Sequence, residues 1–262
     1  MRQQRYAGVP RALRRMQVER RDLVKGGLGL MTGALLGGLS DDGDDFIKPE
    51  PEPELEPEPE PEPESTTYRR GDGGEGVRAL QGQLATAGYW LGEADGGYGH
   101  LTQQAVFACQ KANGLVRDGV AGPNVKQALA TAYRPEPVDG GDHVEVHLDS
   151  QLILLVRGGG TSMVLNTSTA NGEEYEFKGR TYTARTPTGD FAVWYVDGTG
   201  WRDGELGEMW RPMFYSGNYA IHGSRSIPPQ PASHGCARVS VAAMDMIWRD
   251  GLMSMGTRVL VL

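Results

Sequence analysis

The sequence predicts a mainly β domain over residues 142–262, a small three-helix module over 68–133 before it, and an N-terminal third unable to build a core. Three observations carry that prediction. Short alternating and β-branched apolar runs fill the C-terminal half, apolar residues at helical spacing fill the middle, and residues 1–67 are dominated by basic, acidic and Pro-rich stretches. At 262 residues with 39% hydrophobic side chains, the chain can bury one large core or two small ones.

Residues 1–46 read as an export segment with an acidic tail. Arg20-Arg21 precede the uncharged, Gly-rich run Gly26–Leu39, which is too short to cross a bilayer. The order of paired Arg, weak apolar run and polar continuation resembles a twin-arginine signal. No Ala-x-Ala site precedes Ser40, so retention as a membrane tether stays open beside cleavage. Residues 47–67 form a linker: Pro49–Glu64 is a Pro-Glu alternation broken at Leu55, which self-repels and would extend as polyproline II for about 50 Å. The charge of the chain, formally -8, lies in these appendages, with eight basic side chains against two acidic ones in residues 1–25 and twelve acidic against one basic in 41–64. The near-neutral remainder excludes the basic surface that a nucleic acid would require.

In the middle module Val77, Leu80 and Leu84 repeat at helical spacing and Gly88 ends the run. A second helix follows Thr102 with Val106 and Cys109 on one face, and a third begins at Pro123. The turn-rich pieces Asp95–Gly99 and Asp118–Gly122 separate them. Gly71-Asp72, Leu80-Gln81, Gly88-Tyr89, Asp95-Gly96, Tyr98-Gly99, Gln110, Gly114-Leu115 and Asp118-Gly119 resemble the peptidoglycan-binding domain 1 family. Cys109 stands where that family commonly has an aromatic, and is expected to act as a small buried hydrophobe. The resemblance implies a module that holds the chain to the wall.

The strand-like series of the C-terminal domain runs Val144–Leu148, Leu152–Val156, Met163–Leu165, Phe191–Val196, Tyr219–Ile221 and Val259–Leu262, with Gly158–Gly160 as a turn. One helix is expected over Val241–Arg249, with Ala242, Met246 and Ile247 toward the sheet and Gly251 closing it. Two pieces of the domain carry chemistry: Ala220-Ile221-His222-Gly223 and, after a Pro-rich loop, Ser233-His234-Gly235-Cys236-Ala237-Arg238. A thiol is a weak nucleophile while protonated, so it needs a base in reach and donors for the oxyanion that attack creates. His222 supplies the base, and the N–H groups of Gly235 and Cys236 are candidate donors. Spacing alone leaves a zinc site open, with His222, His234 and Cys236 as ligands and His143 or His147 as a fourth; the one-residue gap between His234 and Cys236 and the lack of a second nearby Cys weigh against it. Cys109 and Cys236 fall in separate predicted domains, so no disulfide is expected.

Gln151, Thr186–Phe191, Ile221–Gly223, Ser233–Arg238 and Gly256–Val259 together resemble the YkuD-type L,D-transpeptidase catalytic domain across residues 142–262. That resemblance implies a β-sandwich in which Cys236 attacks the meso-diaminopimelyl carbonyl of a donor tetrapeptide stem and releases the terminal D-alanine. The acyl-enzyme then passes to the amine of a second stem, giving a 3-3 cross-link, or to water, trimming the stem. It further implies that His222 is oriented by a backbone carbonyl, that of Gly223, and that His234, Ser233 and Gly235 shape the site. Arg238 is expected to stabilise charge near the thiolate or bind a substrate carboxylate, and Trp210, Phe214 and Tyr215 are candidates for cleft or core. No cofactor or metal is implied, the partners are peptidoglycan stem peptides, and the protein is expected to be an exported monomer of the wall or periplasm. Competing readings are a zinc-dependent peptidase of the same stems and a non-catalytic wall-binding protein.

Overall fold

The computed structural model describes residues 66–262, so the export segment and nearly all of the Pro-Glu linker lie outside the described residues. Three helices come first: α1 (Glu75–Thr86), α2 (His100–Ala112) and α3 (Pro123–Ala130). Val77, Leu80 and Leu84 form the buried face of α1, and Val106 and Cys109 are buried on α2. Pro123 opens α3, where its missing N–H would have had no helical partner. Two turns use one device. Gln81 donates to Asp95 Oδ1 (2.8 Å) and Gly97 O (3.0 Å) and accepts the Gly96 N–H (2.8 Å). Gln110 donates to Asp118 Oδ1 (2.6 Å) and Val120 O (3.1 Å) and accepts the Gly119 N–H (3.0 Å). Each buried amide thereby satisfies a turn that would otherwise leave backbone groups unpaired.

Twelve strands follow among the described residues. β1 (His143–His147), β2 (Leu152–Arg157) and β3 (Gly160–Asn166) open the domain, β4 (Glu174–Phe177) and β5 (Arg180–Thr183) form a separate hairpin, and β6 (Gly189–Ala192) and β7 (Tyr195–Val196) come next. β8 (Trp201–Gly204), β9 (Gly207–Ser216), β10 (Tyr219–Ser224) and β11 (Ala237–Ser240) precede α4 (Val241–Arg249) and β12 (Arg258–Val261). One sheet has the order β3-β2-β1-β12-β6 and the other β11-β10-β9-β7, with β8 beside β9. Val144, Val146, Ile153, Leu155, Val259 and Val261 of the first sheet share a core with Met213, Tyr215, Ile221 and Val239 of the second. The mainly β architecture, a sandwich with a three-helix module, is the expected fold class.

α4 occupies the expected residues. Ser240 Oγ caps it by accepting the Ala243 N–H (3.1 Å), and Gly251, at φ 61°, closes it. The Gly251 N–H reaches Trp248 O (3.3 Å) and the Leu252 N–H reaches Ile247 O (2.9 Å), the paired bonds of a Schellman end. Its buried stripe is Ala243, Met244, Met246 and Ile247; Ala242, expected on that face, is half-buried at the edge. The expected continuous strand Phe191–Val196 is broken into β6 and β7, because the chain changes sheets there. The Val193 N–H bonds Thr257 O (2.9 Å) and the Trp194 N–H bonds Phe214 O (2.9 Å).

The uninterrupted apolar run Leu152–Val156 acquires a reason in the fold. Ile153 and Leu155 face the sandwich core, whereas Leu152, Leu154 and Val156 join Val164 in a second apolar cluster with Leu80, Leu84, Tyr89 and Val106 of the helical module. A strand covered on both faces loses its alternation. The edge of β3 is covered too: the Val164 N–H donates to Gly88 O (2.9 Å), and the Trp90 N–H to Val164 O (3.2 Å). The two expected domains are thus joined by a common core, and the described residues fall within one unit.

Candidate active site

β10 and β11 run parallel, with His222 opposite Arg238. Cys236 stands just before β11 and two residues from Arg238, so the strand alternation turns both side chains to one side. His222, Cys236 and Arg238 line a cleft of about 830 Å³, walled by Tyr175 and Tyr182 of the β4–β5 hairpin and by Trp201 to Met209 of β8–β9.

His222 is buried, and its Nδ1 lies 2.9 Å from Gly223 O. A carbonyl only accepts, so Nδ1 carries the hydrogen and Nε2 keeps its lone pair, the tautomer a base needs. Burial pushes the imidazole down to about 4, with the Gly223 carbonyl pulling up and the Arg238 charge pushing down. Gly223 has no room for a side chain: a Cβ would meet Trp210 Cδ1 at 2.9 Å and Val241 Cα at 3.1 Å.

Burial likewise raises the Cys236 thiol, against the lowering influence of the Ala220 backbone and Arg238. The Sγ–H donates weakly to Asn218 O (3.8 Å). Both shifts point away from a thiolate–imidazolium pair. Both cysteines are free thiols.

Ser233 holds the Cys236 loop from within. Its buried hydroxyl donates to Cys236 O (2.7 Å) and accepts the Gly235 N–H (3.0 Å). This corrects the expectation that Gly235 and Cys236 both offer oxyanion donors, because the Gly235 N–H is already engaged. Gly235 shapes the loop by its size instead, because a Cβ there would lie 2.4 Å from Tyr219 Cε1 and 3.0 Å from Arg185 O. Thr186 Oγ1 donates to Gly235 O (2.8 Å).

His234 is exposed and packs edge-on against the Tyr175 ring at 4.7 Å. Arg238 is half-buried and pairs with no carboxylate among the described residues, which leaves its charge facing the cleft. Phe214 lines the cleft, Tyr215 belongs to the sandwich core, and Trp210 donates Nε1–H to Asp245 Oδ1 (2.8 Å). No three His, Cys, Asp or Glu side chains among the described residues converge on a point that could hold a metal ion, so the His222, His234 and Cys236 zinc set has no geometry behind it.

Thr167–Asn171, which sequence reasoning did not single out, and Gln151, which it did, support the site. The run Thr167–Asn171 lies against the Cys236 loop: Thr167 Oγ1 donates to Arg238 O (2.8 Å), Thr169 O accepts the Ala232 (2.9 Å) and Ser233 (2.8 Å) N–H groups, and the Asn171 N–H reaches Ser233 O (3.1 Å). Gln151, in a left-handed conformation at φ 62°, fixes Thr169 through Nε2 to Oγ1 (2.6 Å) and through Oε1 from the Thr169 N–H (2.9 Å). The signal was a short polar run directly after an apolar strand, legible only once its partner loop is known.

The chain is similar to known proteins along both of its modules. Residues 141–261 match the L,D-transpeptidase catalytic domain family, YkuD, and residues 73–129 match a peptidoglycan binding domain family. A solved L,D-transpeptidase fragment from Xylanimonas cellulosilytica is 50% identical, with a TM-score of 0.74, covering 77% of this chain and 100% of that one. The N-acetylmuramoyl-L-alanine amidase CwlL of Bacillus licheniformis is 39% identical over 89 residues, and a probable N-acetylmuramoyl-L-alanine amidase of the same organism is 41% identical over 66. These matches take in 32% and 24% of this chain and span only 25% and 19% of the two curated relatives.

Proposed function

The chain belongs to the L,D-transpeptidase family, and on that premise we propose that it is a cysteine acyltransferase of peptidoglycan stem peptides with Cys236 as nucleophile. The observation that carries the proposal is the His222 Nδ1–H to Gly223 O bond, which leaves Nε2 basic on the strand paired with the one that Cys236 leads into. In the first half-reaction Nε2 takes the thiol proton as Sγ attacks the meso-diaminopimelyl carbonyl of a donor tetrapeptide. The carbon–nitrogen bond to D-alanine then breaks, His222 returns the proton to the departing amine, and a thioester remains. In the second, the side-chain amine of another stem attacks the thioester to form a 3-3 cross-link and the proton passes back to sulfur. Water in place of that amine trims the stem.

The Cys236 N–H is the oxyanion donor in this scheme, and Arg238 receives a substrate carboxylate. His234 and Tyr175 shape the cleft mouth. The helical module keeps the enzyme on its insoluble substrate, a role supported by its similarity to segments of two wall amidases. Such a substrate lies outside the cytoplasmic membrane, so the site of action is the wall or periplasm, reached through the N-terminal export segment.

D-alanine release from a soluble disaccharide-tetrapeptide tests the reading with the full chain, Cys236→Ala, and a chelator arm. Release by the wild type alone, unaffected by chelator, is expected, with a dimer mass marking cross-linking. An active Cys236→Ala variant that chelator stops would instead identify a metallopeptidase. Binding without turnover by either protein would leave only a wall-binding role.

A further inference from the structure

Lys111, on α2 of the helical module, is buried, with its ammonium turned into the β domain. It donates to three oxygens: Gln151 O (2.9 Å), Thr167 O (2.9 Å) and Asn166 Oδ1. An ammonium has three hydrogens, so the match is complete, and a buried charge requires such a match to be tolerated. No carboxylate pairs with it among the described residues, and burial lowers its pKa to about 7, with Arg117 adding to the shift. Two turns back along α2, Gln104 Oε1 accepts from Asn166 Nδ2 (2.6 Å), and Gln104 Nε2 and Asn166 Nδ2 both donate to Ile227 O (3.2 and 3.3 Å).

These contacts reach both ends of the loop that joins the base to the nucleophile. Ile227 lies five residues after His222. Thr167, held through its carbonyl by Lys111, holds Arg238 O through its hydroxyl (2.8 Å), and the adjacent Ser168 exchanges backbone bonds with Arg238 (3.1 and 3.4 Å). Gln151, whose carbonyl Lys111 also holds, fixes Thr169, whose carbonyl takes the Ser233 N–H at 2.8 Å.

We propose that Lys111 is a positioning residue for acyl transfer, and that helix α2 is therefore part of the catalytic unit as well as of a wall anchor. The module supports the 223–236 loop from behind, so that Cys236 meets His222 in register. This rests on the L,D-transpeptidase reading for its kinetic test, and a second readout is independent of substrate.

The test compares the full chain with Lys111→Met, Thr167→Val and, as a control for general loosening of the module, Cys109→Ala. The probes are a soluble disaccharide-tetrapeptide, which needs no wall anchoring, and iodoacetamide, which reads the position of the Cys236 thiol. In folded Lys111→Met the kcat for D-alanine release should fall roughly tenfold with KM within about twofold, the pattern of misplaced reacting groups with intact binding. Thr167→Val, which removes only the hydroxyl on Arg238 O, should lose about threefold, and Cys109→Ala should match the wild type. Wild-type kcat in either folded variant overturns the proposal, as does an equal loss in Cys109→Ala. If Lys111→Met does not fold, Thr167→Val decides. If the wild type itself releases no D-alanine, the functional reading has failed separately, and the alkylation rate of Cys236 decides: a rate changed at least about threefold in the variants sustains the positioning role of Lys111, and an unchanged one refutes it.

Discussion

Cys109 and Cys236 share a residue type and a direction of shift, since burial raises both thiols, Cys109 to about 12. Their surroundings differ in what can receive the proton. Cys109 is buried in the helical core beside Tyr89 and Asn113. Cys236 borders an open cleft, with the His222 imidazole on the paired strand and, two residues on, the Arg238 guanidinium, which pairs with no carboxylate among the described residues. The difference teaches that a raised thiol pKa does not mark a cysteine as inert or reactive. What counts is whether a proton acceptor and an oxyanion donor are fixed beside it.

The largest effect should come from the thiols themselves. Cys236→Ala should lose at least about a thousandfold in D-alanine release, while Cys109→Ala keeps kcat within about twofold and melts somewhat lower. Replacing the acceptor comes next: His222→Gln retains the ring's hydrogen-bonding volume but not its basicity, and steady-state kinetics should show a loss of about a hundredfold or more.

Acid should switch off the same pair. As pH falls through about 4, His222 takes a proton and turnover should vanish reversibly. The stability sign follows from the same shift. Because the folded imidazole has the lower pKa, the unfolded chain binds more protons, so the His222 contribution is complete above about 6.5 and is lost on descent toward 4. Its size is up to about 3 kcal/mol, readable as a falling denaturation midpoint.

Smaller effects should come from the loop that presents Cys236. Ser233→Ala removes one hydroxyl that serves both Gly235 N–H and Cys236 O, and should cost about 1–3 kcal/mol in stability, with a loss in kcat that Cys109→Ala does not share. Gly235→Ala should cost a similar amount through its collision with Tyr219 and the Arg185 carbonyl, measured by denaturant titration.

Much of this molecule was legible in the sequence, and the boundary of legibility is physical. The helices of the module and α4 show themselves because Val77, Leu80 and Leu84, or Ala243, Met246 and Ile247, recur at helical spacing and end on glycine. The His222 and Cys236 pieces show themselves because their residue types state their chemistry. The β4–β5 hairpin was not expected: Arg180–Thr183 is exposed throughout and has no apolar period to read. Nor was β9 expected as a ten-residue strand, since Gly207 to Arg211 lacks a buried face. The joining of the two modules was hidden for the opposite reason, because the Leu152–Val156 run reads the same whether its second face meets helices or another sheet. Lys111 and Gln104 look like helix-surface residues until the partner oxygens are in place.

The most direct measurement is to trap the acyl-enzyme. Wild type and Cys109→Ala, mixed with the disaccharide-tetrapeptide and quenched in acid, are digested and mapped by mass spectrometry. A thioester of the donor minus D-alanine on the peptide containing Cys236 in both proteins is the predicted result. An adduct on Cys109, or D-alanine released with no adduct on sulfur at any quench time, would contradict the assignment of Cys236 as the nucleophile.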